Sequence, residues 1–288
     1  MTMTKGDDVA ILDGAAPLFA RYDVIFCDVW GVLHNGLRAY AAAGDALARF
    51  RAAGGTVVLV SNSPARSSSL ATLLDLVGVR RDAWDAAVTS GDLTRAHLNE
   101  RGYRRIHHIG PPGDERVFVG LDIERVELDR AAAIVCTGIT DEQESHRPLL
   151  FRALELSLPF VCANPDLVVE VDGELFLCAG TVAQLYESMG GKVYWLGKPH
   201  NPAYEAAHKL AEEVRGRAVE RERIIAIGDA VRTDLAGAVR YGIDCLLVAH
   251  GIHRDELLSD GQIDRVQLRR LLDGVPHRPV GVTPALAW

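Results

Sequence analysis

The sequence lacks the features that mark membrane, secreted and nucleic-acid-binding proteins. No apolar run approaches the roughly 18 residues needed to cross a bilayer. Met1 to Asp8 also lack the basic and apolar regions of a secretory leader. A formal net charge of −8 over 288 residues leaves no excess of basic residues to bind a polyanion. We therefore expect a cytoplasmic protein that binds neither a membrane nor a nucleic acid.

The cysteines and histidines also lack the spacing of metal or disulfide sites. The five cysteines form no Cys-x-x-Cys pair, and each lies in or beside an apolar run, which predicts buried, reduced thiols. His250 and His253 could form half of a metal site, but no cysteine or carboxylate accompanies them at zinc-site spacing. We interpret these two histidines as structural.

The first organising feature is the stretch from Asp23 to Gly36. Hydrophobic residues make up 48% of the chain, enough for a substantial core. Val24 to Cys27 form a short apolar run that is typical of a buried parallel strand. Asp28 follows where that strand should end. Since ligands of open α/β sheets bind outside the carboxyl ends of the strands, Asp28 is the first candidate site residue.

Strand and helix patterns alternate along most of the chain, with a change of texture in the middle. A helix is predicted over Ile11 to Ala20, Ser63 with Pro64 fits a helix start, and Thr140-x-x-Gln143 resembles a capping box. From about Gly91 to Gly180 the pattern is that of a separate small α/β unit. We therefore predict a core at 1–90, an inserted α/β unit at 91–180 and a second core part at 181–288.

Polar side chains follow four of the predicted strands. Taken singly, each is more often a cap, a turn residue or a solvated charge. Together, at the carboxyl ends of parallel strands, they would supply a nucleophile, a hydroxyl and amide cradle, a cation and a site for a divalent metal. These residues are Asp28, Ser61, Asn62, Lys198, Asp229 and Asp234.

Four short motifs carry a family resemblance. They resemble, in order, the motifs of the haloacid dehalogenase (HAD) superfamily, and Ala163-Asn164-Pro165-Asp166 within the insertion is similar to its class IIA, NagD-like phosphatases. The resemblance implies an α/β fold: a Rossmann-like parallel-sheet core with an inserted α/β cap of the C2 type. The motifs are Asp28-Val-Trp-Gly-Val, Ser61-Asn62-Ser-Pro, Gly197-Lys198-Pro199 and Gly228-Asp229-x-x-x-Thr233-Asp234.

The resemblance implies a hydrolase that removes phosphate from a small phosphorylated metabolite, such as a sugar phosphate or a nucleotide. Asp28 would attack phosphorus and form an aspartyl-phosphate, which divides the hydrolysis into two easier steps. Ser61, the amide of Asn62 and Lys198 would bind the phosphate, with Lys198 also counted as catalytic. A large cap favours small ligands over phosphoproteins, and Asn164, Asp166 and Glu170 could face the substrate or simply be turn and surface residues.

The resemblance also implies Mg²⁺ as the cofactor. Mg²⁺ prefers a few oxygen ligands together with water and substrate phosphate. Asp28, the main-chain carbonyl of Trp30 and Asp229 would be the ligands, with Asp234 as a further ligand or directly behind one. A homodimer is possible, because the cap could expose an apolar sheet edge.

Trp30 departs from the family pattern. The superfamily phosphatases usually carry a second Asp at this position, two residues after the nucleophile, as general acid and base, and an indole cannot transfer protons in that way. Such assistance is worth roughly 10² to 10⁴ in rate. His34 could supply the proton, although a turn histidine is the simpler interpretation.

Three alternatives to the phosphatase therefore stay open. A dehalogenase tolerates an aromatic residue at this position, but its attack on carbon needs no metal and leaves Asp229 and Asp234 unexplained. A phosphonate hydrolase would need a Schiff-base lysine from a helical cap, and none can be identified. A non-catalytic protein that binds phosphometabolites would keep the fold and the metal site.

Overall fold

The structure, a computed structural model, describes residues 9–171 and 174–288. Residues 1–8, on which the expectation of no secretory leader rests, lie outside the described residues. Within the described ranges no helix is long and apolar enough to cross a membrane. The chain divides into two compact units. The first unit holds residues up to Leu59, Leu74–Ala86 and Ala207–Trp288, and the second unit holds Val60–Leu73 and Ala87–Ala206.

The helices and strands are numbered in chain order. The strands are β1 (Val24–Cys27), β2 (Thr56–Ser61), β3 (Ala86–Thr89), β4 (Arg105–Ile109), β5 (Glu124–Arg125), β6 (Ala133–Cys136), β7 (Phe160–Cys162), β8 (Val168–Val171), β9 (Glu174–Leu177), β10 (Val193–Trp195), β11 (Ile224–Gly228), β12 (Asp244–Val248), β13 (Leu258–Ser259), β14 (Gln262–Ile263) and β15 (Gly281–Thr283). The helices are α1 (Ala16–Phe19), α2 (Ala41–Ala52), α3 (Ser67–Val77), α4 (Ser90–Arg101), α5 (Arg147–Glu155), α6 (Ala179–Ser188), α7 (Asn201–Arg215), α8 (Ala236–Tyr241), α9 (Arg254–Leu257) and α10 (Arg265–Leu271).

A six-stranded sheet runs in the order β15-β12-β11-β1-β2-β3. β1 pairs in parallel with β11 on one side and with β2 on the other, so that Cys27 lies level with Ile227 and Leu59. All four residues of β1 are buried, as expected for a central parallel strand covered on both faces. The predicted Rossmann-like parallel α/β fold is confirmed.

The second unit has a parallel sheet of its own, in the order β10-β7-β6-β4-β5. Successive residues of β6 belong to opposite faces: Ile134 packs into one apolar cluster with Phe160, and Val135 packs into another with Val161. These residues are fully buried, because helices cover both faces of a parallel sheet. The middle of the chain is thus a small α/β unit, while the boundaries at 91 and 180 stay a prediction.

The predicted first helix is much shorter than expected. Residue Ile11 forms a parallel bridge with Val282, and the N–H of Leu12 donates to the carbonyl of Val282 at 2.8 Å. Residues paired to β15 cannot also turn into a helix, and only Ala16–Phe19 does so. The apolar residues of this segment therefore belong to a strand-like contact with the C-terminal part of the chain, more than 260 residues away in sequence.

The helix start predicted at Ser63 is wrong. The Ser63 hydroxyl accepts a hydrogen bond from Ala65 N at 3.2 Å and closes a local turn, and α3 begins four residues later at Ser67. The N–H of Ser67 donates to the carboxylate of Asp92 at 3.1 Å. The acceptor at this helix start comes from α4, so the local sequence around Ser63 gave a misleading signal.

The predicted capping box at Thr140-x-x-Gln143 is also wrong. Gln143 opens a short 3₁₀ turn, Gln143–His146, in which no side chain caps the backbone. The Gln143 side-chain amide donates instead to the carbonyl of Thr181 at 2.9 Å. The regular helix that follows, α5, carries Pro148 in its first turn, where the missing N–H is not needed.

Candidate active site

Asp28 lies directly after the central strand of the larger sheet. Its N–H donates to the carbonyl of Ile227 at 2.8 Å, which extends the pairing of β1 with β11 by one residue. Its side chain is half-buried. A carboxylate is thereby fixed at the carboxyl end of the sheet, the edge at which α/β proteins bind their ligands.

Asp229 follows the neighbouring strand β11 and is buried, with 6% of its surface exposed. Its Oδ2 accepts a hydrogen bond from Ile252 N at 2.7 Å. A Cβ added at Gly31 or at Gly251 would lie only 2.1 or 1.8 Å from that oxygen. Glycine at these two positions is therefore a condition for Asp229 to occupy this place.

Asp234 lies within a π-helical turn, Val231–Leu235, and is buried. Its Oδ2 accepts a hydrogen bond from Ala230 N at 3.1 Å. A Cβ added at Gly228 would lie 2.0 Å from its Cγ, so the last residue of β11 has to be a glycine. Turns of the π type are rare in proteins as a whole, and those that occur often lie at functional sites.

The carboxylates of Asp28, Asp229 and Asp234 form one cluster. One oxygen from each lies within 4.8 Å of the others, which is close enough for a single cation to contact all three. Hard divalent cations prefer such all-oxygen sites, and a cation would offset the mutual repulsion of the three groups. In the described part of the chain, no histidine or cysteine joins this group of potential ligands.

Asn62 and Lys198 are joined in the second unit. The Asn62 side chain accepts a hydrogen bond from Lys198 N at 2.7 Å and donates to the carbonyl of Lys198 at 3.0 Å. Both residues are buried, and a Cβ at Gly197 would lie 2.5 Å from Asn62 Oδ1. Ser61 is also buried, and its hydroxyl accepts a hydrogen bond from Ser63 N at 3.2 Å. The Asn62 side chain thus fixes the backbone that carries the Lys198 ammonium.

The polar residues of the Asn-Pro-Asp segment are held by local hydrogen bonds. Asp166 N donates to Asn164 Oδ1 at 3.1 Å, and Asp166 Oδ1 accepts a hydrogen bond from the Asn62 amide at 2.9 Å. Asp166 is therefore tied to the same amide that holds Lys198. Glu170 lies on β8 and is half-buried.

The indole of Trp30 is built into the turn that follows Asp28. The His34 ring meets it edge to face, with centroids 5.1 Å apart and planes at 72°. A Cβ at Gly36, whose φ is +88°, would lie 2.5 Å from Cη2 of Trp30. Trp30 is half-buried, so this turn is shaped around an aromatic ring.

His34 is a buried turn histidine, with 1% of its surface exposed. Its Nδ1 accepts a hydrogen bond from Gly36 N at 2.8 Å, so a neutral ring carries its proton on Nε2. Burial lowers the pKa of His34 to about 4. At neutral pH it is thus uncharged and enclosed, which makes it unsuited to protonate a leaving group.

His250 and His253 take structural places next to the carboxylates. The His250 ring packs edge to face on Tyr40 at 4.7 Å, while His253 contacts Val231 N through Nε2 and Glu256 through Nδ1. Neither belongs to the group of potential metal ligands. The structural interpretation of both histidines stays a prediction.

Two contributors to the site escaped the sequence reasoning. The amide of Ile252 and the bare Gly251 come from the loop after β12, and both enclose Asp229. Their signal was the glycine of His250-Gly-Ile-His253, which the histidine spacing obscured. The sequence predicted a role for the main-chain amide of Asn62 and none for its side chain.

Residues 25–124 match the family described as haloacid dehalogenase-like hydrolase, and residues 195–273 match the related description HAD-hydrolase-like. A crystal structure of a haloacid dehalogenase-like hydrolase from Brucella suis 1330 is 42% identical, with a TM-score of 0.84 over 96% of this chain and 100% of that one. The chain belongs to the haloacid dehalogenase-like hydrolases.

Relatives within this family carry phosphatase names. Ribonucleotide monophosphatase NagD of Escherichia coli K-12 is 25% identical over 270 residues, which cover 91% of this chain and 96% of that protein. A structure described as a possible sugar phosphatase from Cytophaga hutchinsonii is 18% identical, covers 95% of this chain and 97% of that one, and has a TM-score of 0.79, a likeness of fold. The resemblance to the class IIA, NagD-like phosphatases is confirmed.

Proposed function

We propose that this HAD protein is a Mg²⁺-dependent phosphatase that hydrolyses a small phosphorylated metabolite through an aspartyl-phosphate on Asp28. The observation that best supports this proposal is the carboxylate cluster. Asp28, Asp229 and Asp234 bring oxygens within 4.8 Å of one another at the carboxyl ends of β1 and β11. A hydrolase that attacks carbon needs no metal, so its mechanism would not require such a cluster.

The donor set fits Mg²⁺. The three carboxylates are oxygen ligands, two of them are buried, and Asp229 and Asp234 are each oriented by a backbone N–H. The main-chain carbonyl of Trp30 would complete the protein ligands. When bound, the ion supplies positive charge that offsets the repulsion between these carboxylates and the substrate phosphate.

Asp28 would act as the nucleophile. One carboxylate oxygen forms a bond to phosphorus, and the bond from phosphorus to the leaving-group oxygen breaks. Water then attacks phosphorus in the aspartyl-phosphate, which releases inorganic phosphate and returns Asp28 to its carboxylate form. The strand that precedes Asp28 is paired with a neighbouring strand on each side, which suits a nucleophile that has to align with one bond.

Lys198 and Ser61 would bind the transferred phosphoryl group. Lys198 is almost fully buried, and its ammonium group would donate a charge-assisted hydrogen bond to an oxygen of the substrate phosphate. The two hydrogen bonds between the Asn62 side chain and the Lys198 backbone, one accepted and one donated by Asn62, fix the backbone that carries the cation before substrate arrives.

Trp30 leaves the leaving group without a carboxylic acid to protonate it. The neutral, enclosed His34 does not replace that acid. The oxygen that departs would have to take its proton from water. We therefore propose that substrates with acidic leaving groups turn over faster than simple alkyl phosphates.

A small phosphometabolite is the proposed substrate class. The NagD relative is named for ribonucleotide monophosphates and the Cytophaga structure for sugar phosphates, so both classes belong in the first assay. A homodimer, a cytoplasmic location and the absence of a nucleic-acid partner stay predictions.

The test is phosphate release from a panel of sugar phosphates and nucleoside monophosphates, with Mg²⁺ and with EDTA. We expect turnover that EDTA abolishes, that Asp28→Asn abolishes, and that the surface control Asp75→Asn leaves unchanged. Retained activity in Asp28→Asn would remove Asp28 as the nucleophile.

A non-catalytic phosphometabolite-binding protein is the second candidate, and Trp30 is the feature that favours it. It predicts binding of panel members by calorimetry without phosphate release from any of them. Release from a single member at a rate that depends on Asp28 decides against it.

A further inference from the structure

A polar pocket lies in the first unit, at the amino ends of the strands. It has a volume of about 510 Å³, which is within the usual range for small-molecule sites. Ile225 of β11 pairs with Asp244, which lines the pocket, and Asp229 follows the end of β11, four residues after Ile225. At about 3.3 Å per residue that separation is roughly 13 Å, so the pocket is distinct from the carboxylate cluster.

Three arginines converge on this pocket for a topological reason. Arg21, Arg221 and Arg278 each lie three residues before a strand, namely β1, β11 and β15. These strands belong to one parallel sheet in the order β15-β12-β11-β1, so their amino ends share an edge. Residues just before those ends are therefore neighbours, although the arginines are 200 and 57 residues apart in the chain.

All three guanidinium groups have contacts within the protein, and that of Arg21 lies 5.5 Å from the centroid of the Tyr22 ring. The guanidinium carbon of Arg221 lies 4.3 Å from the centroid of the Tyr241 ring, and Arg278 Nη1 donates to the carbonyls of Leu272 and Val275 at 2.6 and 2.8 Å. Over residues 9–171 and 174–288, no carboxylate lies within ion-pair distance of any of the three. Their charge is thus available to an external anion in a chain whose net charge is −8.

The other residues that line the pocket indicate what kind of ligand would fit. Leu235 and Val239, on consecutive turns of one helical segment, form an apolar side together with Ile243. Two carboxylates, those of Glu222 and Asp244, also line the pocket, and Asp244 already accepts a hydrogen bond from the Tyr22 hydroxyl. Three guanidinium groups against two carboxylates leave net positive charge beside an apolar wall.

We propose that this pocket binds a small phosphate-bearing molecule through Arg21, Arg221 and Arg278. A guanidinium group donates two parallel hydrogen bonds to phosphate, and three of them around one pocket match a multiply charged oxyanion. The apolar wall would contact the organic part of the ligand. The inference does not depend on the proposed function, because none of these residues belongs to the candidate active site.

The test uses inorganic phosphate as the probe, titrated calorimetrically at constant ionic strength with chloride as the balancing anion. The background variant is Lys198→Met, which weakens binding at the candidate active site and leaves the arginine pocket as the principal site. In that background, we expect Arg221→Gln with Arg278→Gln to raise the dissociation constant for phosphate at least roughly tenfold. The control Arg265→Gln, an exposed arginine at the start of α10, should leave it unchanged.

Circular dichroism verifies that each variant is folded, and Arg21→Gln replaces the double substitution if the latter unfolds. Equal phosphate binding with and without the pocket arginines would overturn the proposal, as would the absence of any binding in the Lys198→Met background. Loss of turnover in Lys198→Met concerns only the proposed function, so the two failures are distinguishable.

Discussion

At the scale of single residues, the proton path depends on Trp30. The indole is packed against His34 and above Gly36, and neither ring offers a titrating proton donor at neutral pH. The cost of a missing general acid falls on poor leaving groups, because good ones depart without protonation. The consequence is measurable as the ratio of kcat/KM for a substrate with a good leaving group to kcat/KM for a substrate with a poor one.

We expect the native protein to hydrolyse 4-nitrophenyl phosphate much faster than glycerol phosphate, and Trp30→Asp to narrow the gap in kcat/KM. General acid assistance is worth roughly 10² to 10⁴ in rate, so the narrowing should reach at least the lower figure. Trp30→Phe is the matched control and should keep the gap. Equal turnover of the two substrates by the native protein would show that the proton-path argument is wrong.

Gly251 is a second single residue with a testable role, because it leaves room for the Asp229 carboxylate. Its Cα lies so close to Asp229 that an added methyl group would stand 1.8 Å from the carboxylate oxygen. Gly251→Ala should displace Asp229 and lower kcat/KM on the order of a hundredfold, with a higher Mg²⁺ concentration needed for half-maximal rate. Gly113→Ala, where an added Cβ meets nothing within 4 Å, should have the same kcat/KM and the same Mg²⁺ requirement as the native protein. Unchanged Mg²⁺ activation in Gly251→Ala would exclude Asp229 from the metal site.

At the scale of helices and strands, Asp92 joins the starts of two helices. Its carboxylate accepts hydrogen bonds from Ser67 N at α3 and from the Thr89 hydroxyl, while its own N–H donates to that hydroxyl at α4. Two helix starts therefore share one side chain. This is why α3 begins at Ser67 and not at Ser63.

Asp92→Ala should lower the free energy of unfolding by about 1–3 kcal/mol, because it removes a cap and leaves the Ser67 N–H without its acceptor. Urea unfolding followed by circular dichroism measures the change. Asp75→Ala, on the exposed side of α3, is the control and should stay within about 0.5 kcal/mol of the native value. If the two variants are equally stable, the start of α3 does not depend on Asp92.

The elements also show which parts of the sequence could be interpreted alone. β1, β2 and β11 were predictable because a buried parallel strand is a short, uniformly apolar run with polar residues at its end. The starts of α1, α3 and α5 were not, because residues at or shortly before them bond to other parts of the chain: Leu12 to Val282, Ser67 to Asp92 and Gln143 to Thr181. Local capping rules fail wherever a tertiary contact supplies the acceptor.

At the scale of the whole molecule, the carboxylate site and the arginine pocket follow from the same sheet. Parallel strands bring their carboxyl ends together at one edge, where Asp28 and Asp229 lie, and their amino ends together at the other, where Arg21 and Arg221 lie. Motif order was sufficient to predict the first group. The second has no motif, since only the strand order reveals that three dispersed arginines are neighbours.

The central claim is that Asp28 carries the phosphoryl group during turnover. The most direct measurement is rapid acid quenching of the protein with Mg²⁺ and saturating 4-nitrophenyl phosphate, followed by mass spectrometry of its peptides. We predict one phosphoryl group on the peptide that contains Asp28, present during turnover and absent from Asp28→Asn. Phosphate release with no adduct, or with the adduct on another residue, would contradict the account.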